Sequence, residues 1–279
     1  GAGAVRNPAR VPRNAPGLWN LGHKDVDTLF HDGRLSVSGI YGNGFNSPAE
    51  EYLPRGLNSI LAAQALFPMT SDNEMAGHPG EHDIAGAVKD RIDKAWPIIA
   101  ARVRNIPEYG KLFVAAFDHV EGPEDITIVE IANAIAAFEG TEFRSFDSAF
   151  DAYLQGAPDA LNDRQLRGME VFFTVGCSGC HSGPLFTDRG FHAIGLPQFG
   201  PGRTRPWDPM PRDVGRMAET DRLEDAYRFR TPSLRNVALT APYGHNGAMP
   251  TLADMVRHHA DPAASRAIWR PVMAALRPA

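Results

Sequence analysis

The tightest constraint in this sequence is the pentapeptide Cys177-Ser178-Gly179-Cys180-His181. It holds both cysteines of the 279 residues, so no thiol remains for a structural disulfide. Three-residue spacing within a helical turn sets both thiols on one side, where each can form a thioether to a haem edge. The next residue then points its imidazole at the iron. A zinc half-site would want further ligands at comparable spacing, and no other Cys exists to supply them. A redox dithiol would open a helix after a strand, whereas this motif follows a helix. The motif is read as one covalently attached c-type haem with His181 as its first axial ligand. Thioether attachment of haem takes place outside the bacterial cytoplasm, so the periplasm is the expected location.

A length of 279 residues suits two domains of about 140 each. With 43% hydrophobic and 22% charged residues, most of the chain should fold. A net charge of −5 gives no reason to expect nucleic acid as a partner. No run of eighteen apolar residues occurs, so no membrane span is expected. Residue 1 is a glycine with no signal peptide before it, consistent with a mature form or with a missing upstream segment.

Helical spacing dominates. Apolar residues recur at three- and four-residue intervals over 84–104 and 126–139, and Asn162 predicts an N-cap for a helix running into Cys177. Strand-like alternation is nearly absent. Residues 182–230, rich in Pro, Gly and Arg, predict a long ordered loop. A break at Gln155-Gly156-Ala157-Pro158 divides the chain into domains 1–158 and 159–279. An internal repeat supports two similar domains. Arg13-Asn14-Ala15-Pro16-Gly17-Leu18-Trp19-Asn20 resembles Arg230-Thr231-Pro232-Ser233-Leu234-Arg235-Asn236. Each is followed by a His-x-Gly element, His31-Asp32-Gly33 or His245-Asn246-Gly247, and then by a helix, 57–67 or 252–259. Only the second copy has a haem motif ahead of it. By the repeat's logic the first copy's motif is expected upstream of residue 1.

A second axial ligand is sought on the helix after His245. Thr251 can cap it with Asp254 at the third position. Leu252, Met255, Val256 and His259 then share one face. His259 is the favoured ligand and Met255 its rival, while His258 is expected to be solvated.

The stretch RTPSLRNVALTAPYGHNGAMPTLADM, from Arg230 to Met255, resembles the second-domain signature of bacterial di-haem cytochrome c peroxidases and their MauG-like relatives. RNAPGLWN, LFHDGRL and LAAQALFPMTSDNEM in the first half agree with it. The resemblance implies a mainly α protein of two cytochrome c-like helical domains with long ordered loops. It implies one haem that relays electrons and another that reacts with hydrogen peroxide. The family's distal ligand for the second haem falls on His259. The peroxide-reactive haem belongs to the first domain, on a motif expected upstream. Pro68 stands where the repeat has His259 and cannot coordinate iron. Gln64 and Glu74 match the family's distal pair, with Glu74 as general acid/base and Gln64 as positioner. Asn14, Thr240 and Pro242 match its calcium ligands.

One departure stands out. His31 occupies the place where the family often has a Trp between the haems. His245, in the matching place of the second repeat, is expected to donate to a haem edge, and Arg230 and Arg34 to pair with propionates. The expected function is a di-haem peroxidase fed by a small electron-donor protein. The alternatives are a MauG-like oxidase that modifies a protein substrate and a single-haem electron-transfer cytochrome.

Overall fold

A computed structural model describes residues 11–203 and 212–271. Its contacts divide into two units. One holds Leu21–Leu29 and Arg34–Glu142; the other holds Pro12–Asn20, Phe30–Gly33 and the chain from Phe143 onward.

The first unit opens with a small antiparallel sheet, β1 (Thr28–Leu29), β2 (Leu35–Val37) and β3 (Phe45–Asn46), paired in that order. Five helices come after it: α1 (Ile60–Thr70), α2 (Asp83–Asp90), α3 (Ala95–Arg104), α4 (Pro107–Ala116) and α5 (Ile128–Glu142). Helix α1 reads ILAAQALFPMT, apolar on nearly every side, which is the pattern of a helix enclosed by protein. Ile60, Leu61, Ala62, Ala63, Ala65 and Leu66 are all buried, and α1 packs along α5. Ser59 caps it, its hydroxyl accepting from Ala62 N at 3.3 Å, so Leu57 lies outside the helix. Below this pair, Ala100, Phe113, Val120, Ile126 and Ile131 close a core.

The helix expected over 84–104 is broken. Arg91 is extended (φ −162°, ψ 138°) and ends α2. Its guanidinium grips Asp93 through two bonds of 2.6 and 2.9 Å and lies 4.8 Å over the Tyr52 ring. Those contacts hold the side chain where a continuous helix would not place it.

The second unit contains α6 (Ala149–Leu154), α7 (Asp163–Thr174), β4 (Phe191–His192), α8 (Met217–Thr220), β5 (Phe229–Arg230), α9 (Leu252–Ala260) and α10 (Pro262–Ile268). Strands β4 and β5 pair with each other. The break expected at Gln155–Pro158 falls inside this unit, because α6 is tied to residues C-terminal to that break. Arg235 reaches both carboxylate oxygens of Asp151 at 2.8 and 2.6 Å, and Phe150 packs on Phe186 with centroids 5.5 Å apart.

Segments 12–20 and 30–33 join this unit through the repeat. Asn14 N donates to His245 O and Arg230 N to His31 O, each at 2.8 Å. Both repeat glycines take positive φ, Gly33 at 68° and Gly247 at 71°, a conformation that side chains resist. An ionic cluster lies at the centre. Buried Arg13 donates to Asp213 through Nε and NH2 (2.6 and 2.7 Å) and to Asp32 through NH1 (2.5 Å). Arg203 bonds Asp32 from another side at 2.7 Å. The expected loop 182–230 is ordered where described, with β4 and α8 inside it; its residues 204–211 lie outside the described residues.

Candidate haem centre

Helix α7 starts as its sequence dictates. The Asn162 side chain accepts from Gln165 N while the Gln165 side chain accepts from Asn162 N. The helix stops at Gly176, whose φ of 90° turns the chain into a tight 3-10 turn, Cys177–Gly179. His181 N closes onto Cys177 O at 3.0 Å. Cys177 is exposed and Cys180 half-buried, and burial, then the charge of Asp188, pushes the Cys180 thiol up.

The His181 ring is held by one nitrogen. Nδ1 lies 3.0 Å from Phe186 O. A carbonyl only accepts, so Nδ1 carries the hydrogen and Nε2 keeps a lone pair available to a metal. Burial also lowers the pKa of His181. Helix α9 presents a partner prepared in the same way. The Thr251 hydroxyl caps it at Asp254 N (3.1 Å), and His259 Nδ1 lies 2.9 Å from Met255 O one turn back. The His181 and His259 rings lie beside each other, edge-on, with centroids 6.4 Å apart and planes at 61°. Two metal–imidazole bonds of about 2 Å each, with half a ring beyond each nitrogen, span roughly 6 Å. The separation therefore fits one iron held between two Nε2 atoms.

The apolar surroundings fit the same group. No residue of the amphipathic helix α7 is buried; Phe173 is 54% and Val175 67% exposed beside the motif, and Val256 on α9 is 61% exposed. Apolar faces of this kind require a cover, which a porphyrin supplies. Cys180, Asp188 and His192 also offer three metal-ligand atoms within 4.8 Å of one another. His192 Nε2 is already bonded to Asp188 Oδ2 at 2.8 Å, and such a site would leave Cys177 and the neighbouring imidazoles without a role.

One expectation about α9 needs correction. His258 is not solvated; it is fully buried, because α10 and the segment at Ile194 fold over it. Of the residues that share the His259 face, Val256 is exposed while Leu252 and Met255 are half-buried.

Around the repeat, His31 is half-buried with Nε2 3.0 Å from Asn14 O, and burial with the nearby Arg13 charge pushes its pKa down to about 4. His245 is 4% exposed and stacks on Phe229, centroids 3.6 Å apart and planes at 9°. Burial pushes its pKa to about 3, and neither ring nitrogen has a hydrogen-bond partner among the described residues. Such an orphaned pair calls for a bound group or water. Arg230 is engaged elsewhere, donating to Phe30 O at 3.0 Å and Thr231 O at 3.4 Å; Arg34 is half-buried. The Asn14 side-chain amide donates to Pro242 O at 2.8 Å, and the Thr240 hydroxyl donates to Val237 O at 3.1 Å.

In the first unit, Gln64 and Pro68 lie half-buried on α1, and Glu74 stands exposed in the turn after it, where Met75 N returns to Pro68 O at 3.2 Å. A cleft of about 540 Å³ opens between the start of α1 and the end of α5, lined by Ile60, Leu61, Ala136, Gly140, His23 and Lys24 among others. Gln64 and Glu74 are not among its lining residues.

A sequence profile described as di-haem cytochrome c peroxidase matches residues 2–159. The chain belongs to the di-haem cytochrome c peroxidase family. The cytochrome c peroxidase Ccp of Escherichia coli is 36% identical over 229 residues, 81% of this chain and 45% of the relative. The cytochrome c551 peroxidase of Pseudomonas aeruginosa is 37% identical over 256 residues, 92% of this chain and 62% of the relative. A solved MauG-like protein associated with microbial copper homeostasis superposes with a TM-score of 0.60 at 28% identity, covering 91% of this chain and 65% of its own. The chain thus spans about half the length of the curated peroxidases it matches, and membership establishes haem c as the family's cofactor.

Sequence reasoning missed two parts of this family member. One is the Arg13–Asp213 pair, whose partners stand 200 residues apart, so no local pattern announces it. The other is Arg235, which donates to Pro184 O at 2.8 Å as well as to Asp151. Its place in the repeat beside a Ser and a Thr was the available signal.

Proposed function

We propose that this chain carries the electron-relay haem of a di-haem peroxidase, together with the distal wall of its peroxide-reducing haem. The neighbouring His181 and His259 rings, each tied back through Nδ1 and set beside Cys177 and Cys180, carry this reading. When bound, the haem supplies an iron that takes up and releases one electron at a time. Cys177 and Cys180 would tether it, and the His181 and His259 imidazoles would hold its iron. Two imidazole ligands would favour ferric iron, which suits relay rather than peroxide chemistry. The orphaned nitrogens of His245 suit a hydrogen bond to a haem carboxylate or to an ordered water.

Peroxide chemistry is assigned to the first unit. Reducing hydrogen peroxide to two waters takes two electrons and two protons. Glu74 takes the proton from one peroxide oxygen and returns it to the other as the O–O bond breaks, and Gln64 donates an N–H that orients the peroxide. Pro68 has no donor atom to close that position. The reading requires a second haem, for which Cys177 and Cys180 are not available. A calcium ion at Asn14, Thr240 and Pro242 would take carbonyl and amide oxygens. The partners are hydrogen peroxide and a small electron-donor protein, in the periplasm. No helix of the described residues is long and apolar enough to cross a membrane.

Haem counting by the pyridine adduct, joined to intact mass and to peroxide turnover with a reduced small cytochrome, tests the proposal. Two haems and turnover are expected, with Glu74→Gln lowering kcat by about 10²–10⁴. One haem without turnover leaves a single-haem carrier. Peroxide-dependent mass change on a partner protein in place of turnover makes it a MauG-like oxidase.

A further inference from the structure

His258 and His259 are adjacent in α9 and do opposite things. His259 is exposed beside His181, whereas His258 is 0% exposed and is the one buried residue of the helix. Both its ring nitrogens are engaged. Nε2 lies 2.8 Å from Ile194 O and Nδ1 3.0 Å from Ser265 Oγ. Ile194 O only accepts, so Nε2 bears the hydrogen and Nδ1 accepts from the Ser265 hydroxyl. One imidazole thus joins three pieces of chain: α9, the segment after β4, and α10. Helix α10 is held in turn by the Asp261 side chain, which accepts from Ala264 N at 2.9 Å.

A nine-residue helix has little stability of its own and takes its position from what it packs against. Leu252 and Met255 are only half-buried and Val256 is exposed, so apolar packing against protein does little to fix the position of α9. That position, above all along the helix axis, decides which atom reaches His181, since Met255, with a thioether sulfur, lies on the same face one turn before His259. We propose that His258 is a positioning residue for the C-terminal haem: by pinning α9 to Ile194 and Ser265 it selects His259 over Met255 as axial ligand and keeps that bond closed. The proposal rests on reading His181 and His259 as the axial pair.

The test uses the haem-loaded protein and its His258→Ala, His258→Gln and Ser265→Ala variants. The readouts are the ferric electron paramagnetic resonance and absorption spectra, cyanide affinity followed on the bis-histidine signal, intact mass and thermal melting. In His258→Ala both thioethers should persist. The bis-histidine signal should weaken in favour of a methionine–iron or cyanide-accessible form, with cyanide affinity up by about 10- to 100-fold. His258→Gln, whose amide N–H can reach Ile194 O, should restore most of the signal, and Ser265→Ala should shift it less in the same direction. If His258→Ala lowers only the melting temperature and leaves spectrum and cyanide affinity as in the wild type, the proposal is wrong. A wild-type spectrum without a bis-histidine signature overturns the axial-pair reading itself. The two failures are therefore distinct.

Discussion

Removing the bond between Asp151 and Arg235 should weaken the second unit by an amount that can be worked out before measurement. One guanidinium nitrogen of Arg235 reaches both carboxylate oxygens, at 2.8 and 2.6 Å, and both side chains are about nine-tenths buried, at 10% and 8% exposure. A hydrogen bond to a charged partner contributes about 1.5–3 kcal/mol. Asp151 also caps α6, accepting from Ser148 N at 3.0 Å, which adds about 1 kcal/mol. Asp151→Ala should therefore cost about 2.5–4 kcal/mol. Arg235→Met keeps an aliphatic stem but loses the Pro184 bond and the placement of the cation 4.8 Å over Phe146. Both single variants carry such extra losses, so the double variant is needed. In a double-mutant cycle the coupling between the two residues should come to about 1.5–3 kcal/mol.

The assay is urea unfolding of the haem-loaded protein at pH 7, repeated in acid. The hydrogen bond from Arg235 is the largest influence on Asp151 and holds its pKa at about 2, against an ordinary 3.8. The unfolded carboxylate takes its proton first as pH falls. The pair's contribution is thus complete above the ordinary value and fades as pH drops toward 2. A coupling below about 0.5 kcal/mol at pH 7 would refute the assignment. So would a coupling that grows as the solution is acidified.

Other outcomes are expected from the same geometry. Gly33→Ala places a Cβ 2.4 Å from Phe191 Cζ at a φ of 68°, and should cost about 2–4 kcal/mol in equilibrium unfolding, whereas Gly39→Ala, with nothing within 4 Å, should cost little. His259→Ala should open the C-terminal haem to cyanide, while His259→Met should keep it six-coordinate and raise its potential in a redox titration. Asn14→Ala should abolish any rise in melting temperature on adding calcium, read by calorimetry with and without chelator.

What the sequence disclosed and what it hid divide by distance along the chain. The caps at Asn162 and Thr251 were legible because donor and acceptor lie three residues apart, and the structure shows both bonds. The closeness of His259 and His181, with ring centroids 6.4 Å apart, was legible because a motif marks one and a short helix the other. The burial of His258 was not, since Ile194 and Ser265 come from other elements and nothing within 252–259 marks them. The break at Arg91 was hidden for the same reason: Tyr52, which its guanidinium covers, is far away in sequence. The exposed faces of α7 and α9 mark a further limit. Amphipathic spacing says that a face will be covered, not that protein will cover it.

The TPSLRN segment shows why a signature can be readable before its reason is known. Thr231 N donates to Gly190 O at 2.9 Å, and the Thr187 hydroxyl to Thr231 O at 2.7 Å. The Ser233 hydroxyl donates to Leu185 O at 2.7 Å, and Arg235 Nε to Pro184 O at 2.8 Å. Residues 231, 233 and 235 alternate as in an extended chain, running backwards along the loop that leaves His181. Between those bonds sits Phe186, whose carbonyl oxygen takes the His181 Nδ1 hydrogen. Loosening the segment would free that carbonyl and let the His181 ring turn. The Cys177–His181 turn and the distant TPSLRN segment are thus tied together through the loop between them. Arg235 anchors it to α6, which explains why residues 143–158 pack with the second unit and not the first.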